Sequence, residues 1–354
     1  MVASALKHEE QGDAPRVLWR RLNTLATLLV VAGVVYLFLS ISGVNRASMA
    51  RLPDLINGTA YRPWVYRVLV PKTVGLLVAL TPDAVADGLE QLFEDTPAVV
   101  TLMRQLVVRP ADYVAAFYMS CVLFASLLGY KRAFRYLAAS FYAEHWTLEL
   151  ASYIALAALV PFFQFCYIYD FTALFFGTLL LALIVREHWR AYLIAFGLAC
   201  LNKETTLVFV LVFAACAHGS LTTREYRKQI AKQLAVFAVV RGALMLTYAR
   251  NPGSEVQHFF DYHLSMYSEF GTQAQYSLLG WLSLLFCVFY GFSHKPRALR
   301  LSLIGVPPIA ALYLAFGYPF EWRVFYELLA PALLLALHGI YRLVARTDPQ
   351  PLVA

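Results

Sequence analysis

Charge is scarce in this sequence. Asp, Glu, Lys and Arg make up 14% of its 354 residues, against about a quarter in a soluble domain. With 60% of the residues apolar, an ordinary globular fold would expose more hydrocarbon than water tolerates, and that class is excluded. Cysteine is sparse too: Cys121, Cys166, Cys200, Cys216 and Cys287 are scattered through apolar segments without metal-ligand spacing. They read as packing residues, not as a disulfide framework or a zinc site. No glycine-rich phosphate loop or dinucleotide fingerprint is present, so cytoplasmic nucleotide chemistry has no support. A cleavable signal peptide is also missing. The first twenty residues are polar, and the long apolar run after them lacks a small-residue cleavage site, so it is expected to remain as the first span.

What the sequence has instead is apolar blocks of membrane length. Spans are expected at 24–43, 111–129, 147–163, 171–185, 234–249, 276–292, 301–318 and 328–344. Two shorter segments, 191–201 and 207–217, flank the polar string Asn202-Lys203-Glu204-Thr205-Thr206. They form either one long helix whose Lys–Glu pair neutralises itself, or two half-helices meeting at a break beside a wet, protein-lined cavity. The break is favoured, because five polar residues at mid-membrane need such a cavity. The fold class is therefore all-α, a single integral membrane domain over 1–354 with about ten membrane segments.

Basic residues set the orientation. Arg16, Arg20 and Arg21, then Lys131, Arg132 and Arg135, then Arg186 and Arg190, then Arg224, Arg227, Lys228 and Lys232, fall in alternate loops, as do Lys295, Arg297, Arg300, Arg342 and Arg346. That set is cytoplasmic by the positive-inside rule, as are the tails 1–23 and 345–354. Positions near Thr59, Gln257 and Phe320 are then outside. The net charge of +7 is a consequence of topology, and no nucleic-acid partner is implied.

The first outer loop, 44–110, is far longer than a connector needs. Thr81-Pro82 and Thr96-Pro97 each place a capping hydroxyl before a proline at a first helical position. The segments after them repeat apolar residues at helical spacing and are expected to lie along the membrane surface, either capping the bundle or guiding a substrate. Nearer the start of the loop, Arg62 and Arg67 lie among Tyr61, Trp64 and Tyr66, on the side where cations are discouraged. They suit a phosphate or pyrophosphate, or else anchor lipid headgroups. Asp170 stands where it could cap the helix from Phe171. Glu321 and Arg323, two apart in a loop, can point to one site. His258, Asp261 and His263 have a spacing that could bind metal, although a solvated loop explains them as well.

Asp54, Asp170, Glu204 and Glu321, with Arg62, Arg67, Lys203 and Arg323, thus all fall in the outer half. Carboxylates there could act as a base and cations could neutralise a phosphate. A many-pass helical chain with a long first outer loop, a carboxylate near its start and membrane-parallel helices after it resembles the GT-C superfamily of lipid-phosphate-dependent glycosyltransferases. The resemblance is one of topology over most of the chain, without a long motif. It implies a polyprenyl-phosphate sugar donor in the bilayer, a glycan, lipid or protein acceptor, Asp54 as catalytic base, and Arg62, Arg67, Lys203 or Arg323 on the carrier phosphate. No cofactor is implied, with a divalent metal ion left open. Asp54 departs from the family pattern in lying some way after the first span, and no large C-terminal soluble domain is present. The expected location is a bacterial inner membrane with the active site on its outer face. In an endoplasmic reticulum Asn57-Gly58-Thr59 would be a glycosylation acceptor. The alternative is a secondary transporter or lipid flippase with its site at the Lys203-Glu204 break, although no internal repeat is visible. A non-catalytic scaffold would need no such charges.

Overall fold

The computed structural model describes residues 2–42, 44–143, 145–163, 166–254, 258–268, 272–318 and 321–347. Gln257 and Phe320, expected outside, lie beyond the described residues. In chain order the helices are α1 (Val2–Ile41), α2 (Leu52–Asn57), α3 (Leu69–Ala79), α4 (Asp83–Glu94), α5 (Pro97–Gln105), α6 (Tyr113–Ala138), α7 (His145–Ala157), α8 (Asp170–Val185), α9 (Trp189–Asn202), α10 (Val208–Cys216), α11 (Thr223–Thr247), α12 (Phe260–Ser268), α13 (Thr272–Phe289), α14 (Arg297–Ser302), α15 (Val306–Phe316) and α16 (Tyr326–Ala345). No strand occurs among the described residues, and an isolated bridge joins Arg62 to Gly253.

Five stretches are long and apolar enough to cross a membrane: Val17–Ile41, Pro110–Ala138, Thr223–Thr247, Arg297–Phe316 and Trp322–Ala345. Helices α3 and α4 satisfy the same test together but are bent by 110° at their junction, as a broken span or a re-entrant loop would be. Thr147–Phe162, Asp170–Val185, Glu204–Cys216 and Leu279–Phe289 are apolar but shorter.

Helix α8 is the axis of the bundle. Its buried residues occur on every side, as a helix that is apolar all round requires, and α6, α9 and α16 pack against it. Helix α11 is the opposite case. Among its residues only Gln233 and Leu244 are buried, so most of its surface is left for lipid. Gly177 sets the spacing between α8 and α16: a Cβ there would stand 2.5 Å from the Glu327 carbonyl oxygen. Because backbone cannot swing aside as a side chain can, Gly177→Ala is expected to cost about 1–3 kcal/mol in detergent unfolding. An unchanged melting temperature would mean the two helices are free to part.

Several local expectations need correcting. The N-terminal tail is helical from Val2 onward and continuous with the first span. Helix α6 runs past 129 and carries Lys131 and Arg135 into the bundle, where both bind Glu149 of α7 at 2.8 and 2.6 Å. Helix α5 starts at Pro97 as its Thr-Pro pair places it, whereas α4 starts at Asp83 with Pro82 at its N-cap, and neither threonine caps through its side chain. Thr81 Oγ1 donates to Leu77 O and Thr96 Oγ1 to Leu92 O, each threonine lying just past the C-cap of the preceding helix. The loop 44–110 is closed by Asn45, whose amide donates to Leu106 O at 2.9 Å while its oxygen accepts from Leu52 N at 2.5 Å.

Candidate functional site

The site is built around a break in an apolar run. Helix α9 stops at Asn202, Lys203 is extended with φ −158° and ψ 142°, and Glu204–Leu207 make one 3-10 turn before α10. Such a break survives in an apolar bundle only if the freed backbone groups find partners. Ala199 O accepts from Lys203 N at 3.0 Å and from Thr206 Oγ1 at 3.1 Å. The Asn202 amide donates to Tyr169 O at 3.1 Å, fixing the break to the start of α8.

Lys203 and Glu204 do not neutralise each other. Lys203 Nζ lies 3.0 Å from Glu327 Oε1 at the start of α16. It is an ion pair by distance, but the lysine ammonium makes no aligned hydrogen bond. Glu327 Oε1 also accepts from Thr205 Oγ1. Glu204 takes Arg67 in a two-point fork, Nη2 to Oε1 at 2.5 Å and Nε to Oε2 at 3.2 Å, the geometry a guanidinium favours with a carboxylate. Arg241 of α11 approaches the same carboxylate at 3.9 Å.

A second knot joins α8 to the turn before α16. Arg323 donates to Asp170 Oδ1 at 3.0 Å and to Glu321 Oε1. Asp170 is fully buried, and its Oδ2 accepts from Tyr167 N at 2.6 Å. It therefore ties down the loop ahead of α8, where capping of the helix was one expectation. Glu321 Oε2 accepts from Tyr318 N at 3.0 Å. The Tyr167 and Tyr169 rings stack at 5.5 Å, and each carries an arginine: Arg323 over Tyr167 at 4.3 Å and Arg67 over Tyr169 at 4.7 Å. Arg67 Nη1 also donates to the Tyr169 hydroxyl. The tyrosine pair links the two knots.

These groups surround a cavity of about 740 Å³. Arg67, Lys203, Arg241 and Arg323 bring four cations to its wall against the two carboxylates Glu204 and Glu321. Asp170 and Glu327, which balance the excess, stand behind the wall, with side chains 0% and 3% exposed. Trp64, Tyr66, Ile309, Leu312, Tyr313 and Phe316 supply much of the remaining surface. Of the eight residues singled out from sequence, Arg67, Lys203, Glu204, Glu321 and Arg323 line the cavity, and Asp170 holds one of them from behind.

The structure does not bring Asp54 and Arg62 there. Asp54 is half-buried on α2, and its carbonyl accepts from Thr59 N and Ala60 N. Arg62 Nη2 donates to Gly253 O at 2.7 Å. Together with Asn251, which donates to Gly58 O and Ala60 O, it straps the first loop to the segment after α11. His263 Nε2 lies 2.8 Å from Gly317 O, and the His258 ring rests on Phe316. Among the described residues no three His, Cys, Asp or Glu are grouped to hold a metal ion. Sequence reasoning passed over Arg241 and Glu327. An arginine inside an apolar span is a functional signal in its own right, and Arg241 carried it. The chain matches no protein-family model, and comparison with curated proteins and with solved structures finds no significant relative.

Proposed function

We propose that the chain is a membrane glycosyltransferase of the GT-C kind, moving a sugar from a polyprenyl-phosphate donor to a glycan, lipid or protein acceptor. The observation that supports it is the cavity wall, where cations outnumber carboxylates four to two. Guanidinium and ammonium groups facing an apolar enclosure, with two of their four counter-charges set behind the wall, favour an anion, and forked arginines favour phosphate oxygens. The acceptor hydroxyl attacks the anomeric carbon, the bond from that carbon to the phosphate oxygen breaks, and the polyprenyl phosphate leaves with the electron pair toward Arg67, Lys203 and Arg323.

The hydroxyl proton goes to a carboxylate, and we assign that role to Glu204. Its side chain is 33% exposed, against 11% for Glu321 and 0% for Asp170, and Asp54 lies elsewhere. An arriving phosphate competes with Glu204 for Arg67 and Arg241, and a carboxylate relieved of cations is the stronger base. Reconstituted protein given sugar-labelled polyprenyl phosphates is expected to liberate polyprenyl phosphate. Failure with every sugar tried would end this reading.

In the same reading the chain has about ten membrane segments in a bacterial inner membrane, with both termini cytoplasmic and the cavity opening on the outer face. Cysteines at Thr59 and Lys228, both exposed, provide the check. Thr59→Cys is expected to label from outside intact cells and Lys228→Cys only after permeabilisation. Labelling of Lys228→Cys from outside would reverse the arrangement.

The broken helix at Lys203 favours one second reading, a lipid flippase or secondary transporter, since transporters bind their cargo at such breaks. It requires movement of labelled lipid across vesicles without release of sugar, and sensitivity at Lys203 and Glu204.

A further inference from the structure

The least satisfied charged group in the cavity is Arg241. A guanidinium carries five donors, yet Nη2 has only the 3.9 Å approach to Glu204, and Nη1 is buried without a hydrogen-bond partner. The group lies 5.3 Å from the centre of the Tyr66 ring, and its side chain is 12% exposed. An arginine on a helix that otherwise faces lipid is costly unless an anion meets it. Within the protein, Glu204 is already bonded at both oxygens by Arg67.

One turn along α11 from Arg241 stands Met245, on the same helix face. On α15, Ile309, Leu312, Tyr313 and Phe316 recur at helical spacing and make one apolar face. All of them line the cavity. Met245, Leu312 and Phe316 are also 44%, 46% and 39% exposed, so the cavity reaches the outside of the bundle through this apolar wall. A space charged at its inner end and hydrocarbon at its mouth fits an amphiphile.

We infer that Arg241 clamps the phosphate of a hydrocarbon-tailed ligand, and that the tail leaves the cavity between α11 and α15. Only the choice of a polyprenyl tail rests on the glycosyltransferase reading; the clamp and the exit require no more than an alkyl phosphate. Arg241 completes a fork with Arg67 on the phosphate oxygens, and the mouth residues hold the first methylenes without a polar contact.

The test uses full-length protein in detergent and three radiolabelled probes: polyprenyl phosphate, dodecyl phosphate and inorganic phosphate. Wild type is expected to bind both tailed probes far more tightly than inorganic phosphate. Arg241→Gln is expected to weaken both about 10- to 100-fold, the loss of one charge-assisted contact. Leu312→Trp and Met245→Trp, at half-exposed positions where a larger ring is tolerated, are expected to weaken tailed probes by narrowing the mouth. If wild type binds dodecyl phosphate in an Arg241-dependent way but not polyprenyl phosphate, the clamp stands and the polyprenyl donor falls. Wild-type affinity in Arg241→Gln, no binding of either tailed probe, or inorganic phosphate binding as tightly as dodecyl phosphate would overturn the inference. Should Arg241→Gln fail to fold, unchanged dodecyl phosphate affinity in both tryptophan variants would overturn it instead.

Discussion

Arg323→Met is expected to lower the stability of the fold by about 3–5 kcal/mol, the cost of stranding buried charge. Methionine fills much of the same volume, so the loss is electrostatic. Arg323 is the cation bonded to both Asp170 and Glu321, whose side chains are 0% and 11% exposed. Without it, two carboxylates face each other in an apolar environment, and each must either take up a proton or drag water inward. The same change removes the cation resting on Tyr167, a smaller loss of about 0.5–2 kcal/mol. The check is thermal or denaturant unfolding in detergent. The mechanism makes a second demand: Arg323→Met combined with Asp170→Asn should recover part of the loss, since one of the two stranded charges is gone. A double variant less stable than the single one would show that Asp170 contributes by its bonds to the loop at Tyr167 and not by its charge.

Five of the expected spans were legible because apolar length is a one-dimensional property. So was the break at 202–206, where polar residues interrupt a hydrocarbon run. Helix α3 was not: Pro71, Lys72, Thr73 and Gly75 fall inside eleven residues, which disguises it as loop, and packing against α2, α6 and α9 gives it a reason to form. The two threonines mislead for a related cause. Their capping pattern is set by the helices downstream of Thr81 and Thr96, whereas the helix upstream of each supplies the acceptor. Convergence of the charges was the least legible feature. Arg67 meets Glu204 across 137 residues and Arg323 meets Asp170 across 153, separations that no local pattern encodes. The residue types foretold a charged cavity, but the partners depended on how α8, α9 and α16 pack. Asp54 illustrates the converse: its place in the first outer loop matched the family resemblance, and the fold put it away from the cavity.

Glu204→Gln is expected to reduce kcat for sugar transfer by about 10²- to 10⁴-fold, the range for loss of a general base, and to lower KM at the same time. The two effects come from one geometry. The amide keeps the volume and can still accept from Arg67, so the break between α9 and α10 should hold. It cannot take a proton from the acceptor hydroxyl, and the chemical step slows. It also removes the negative charge that occupies Arg67 and Arg241, leaving four cations on the wall against Glu321 alone. A phosphate donor then binds without displacing a carboxylate, which is why affinity should rise as turnover falls. A purely structural role for Glu204 would lower both affinity and rate, because the arginines would lose their position. Asp54→Asn is the necessary companion, expected to transfer at close to the wild-type rate from its place outside the cavity. Wild-type turnover in Glu204→Gln with lost turnover in Asp54→Asn would return the base to the first loop, where the family resemblance had put it.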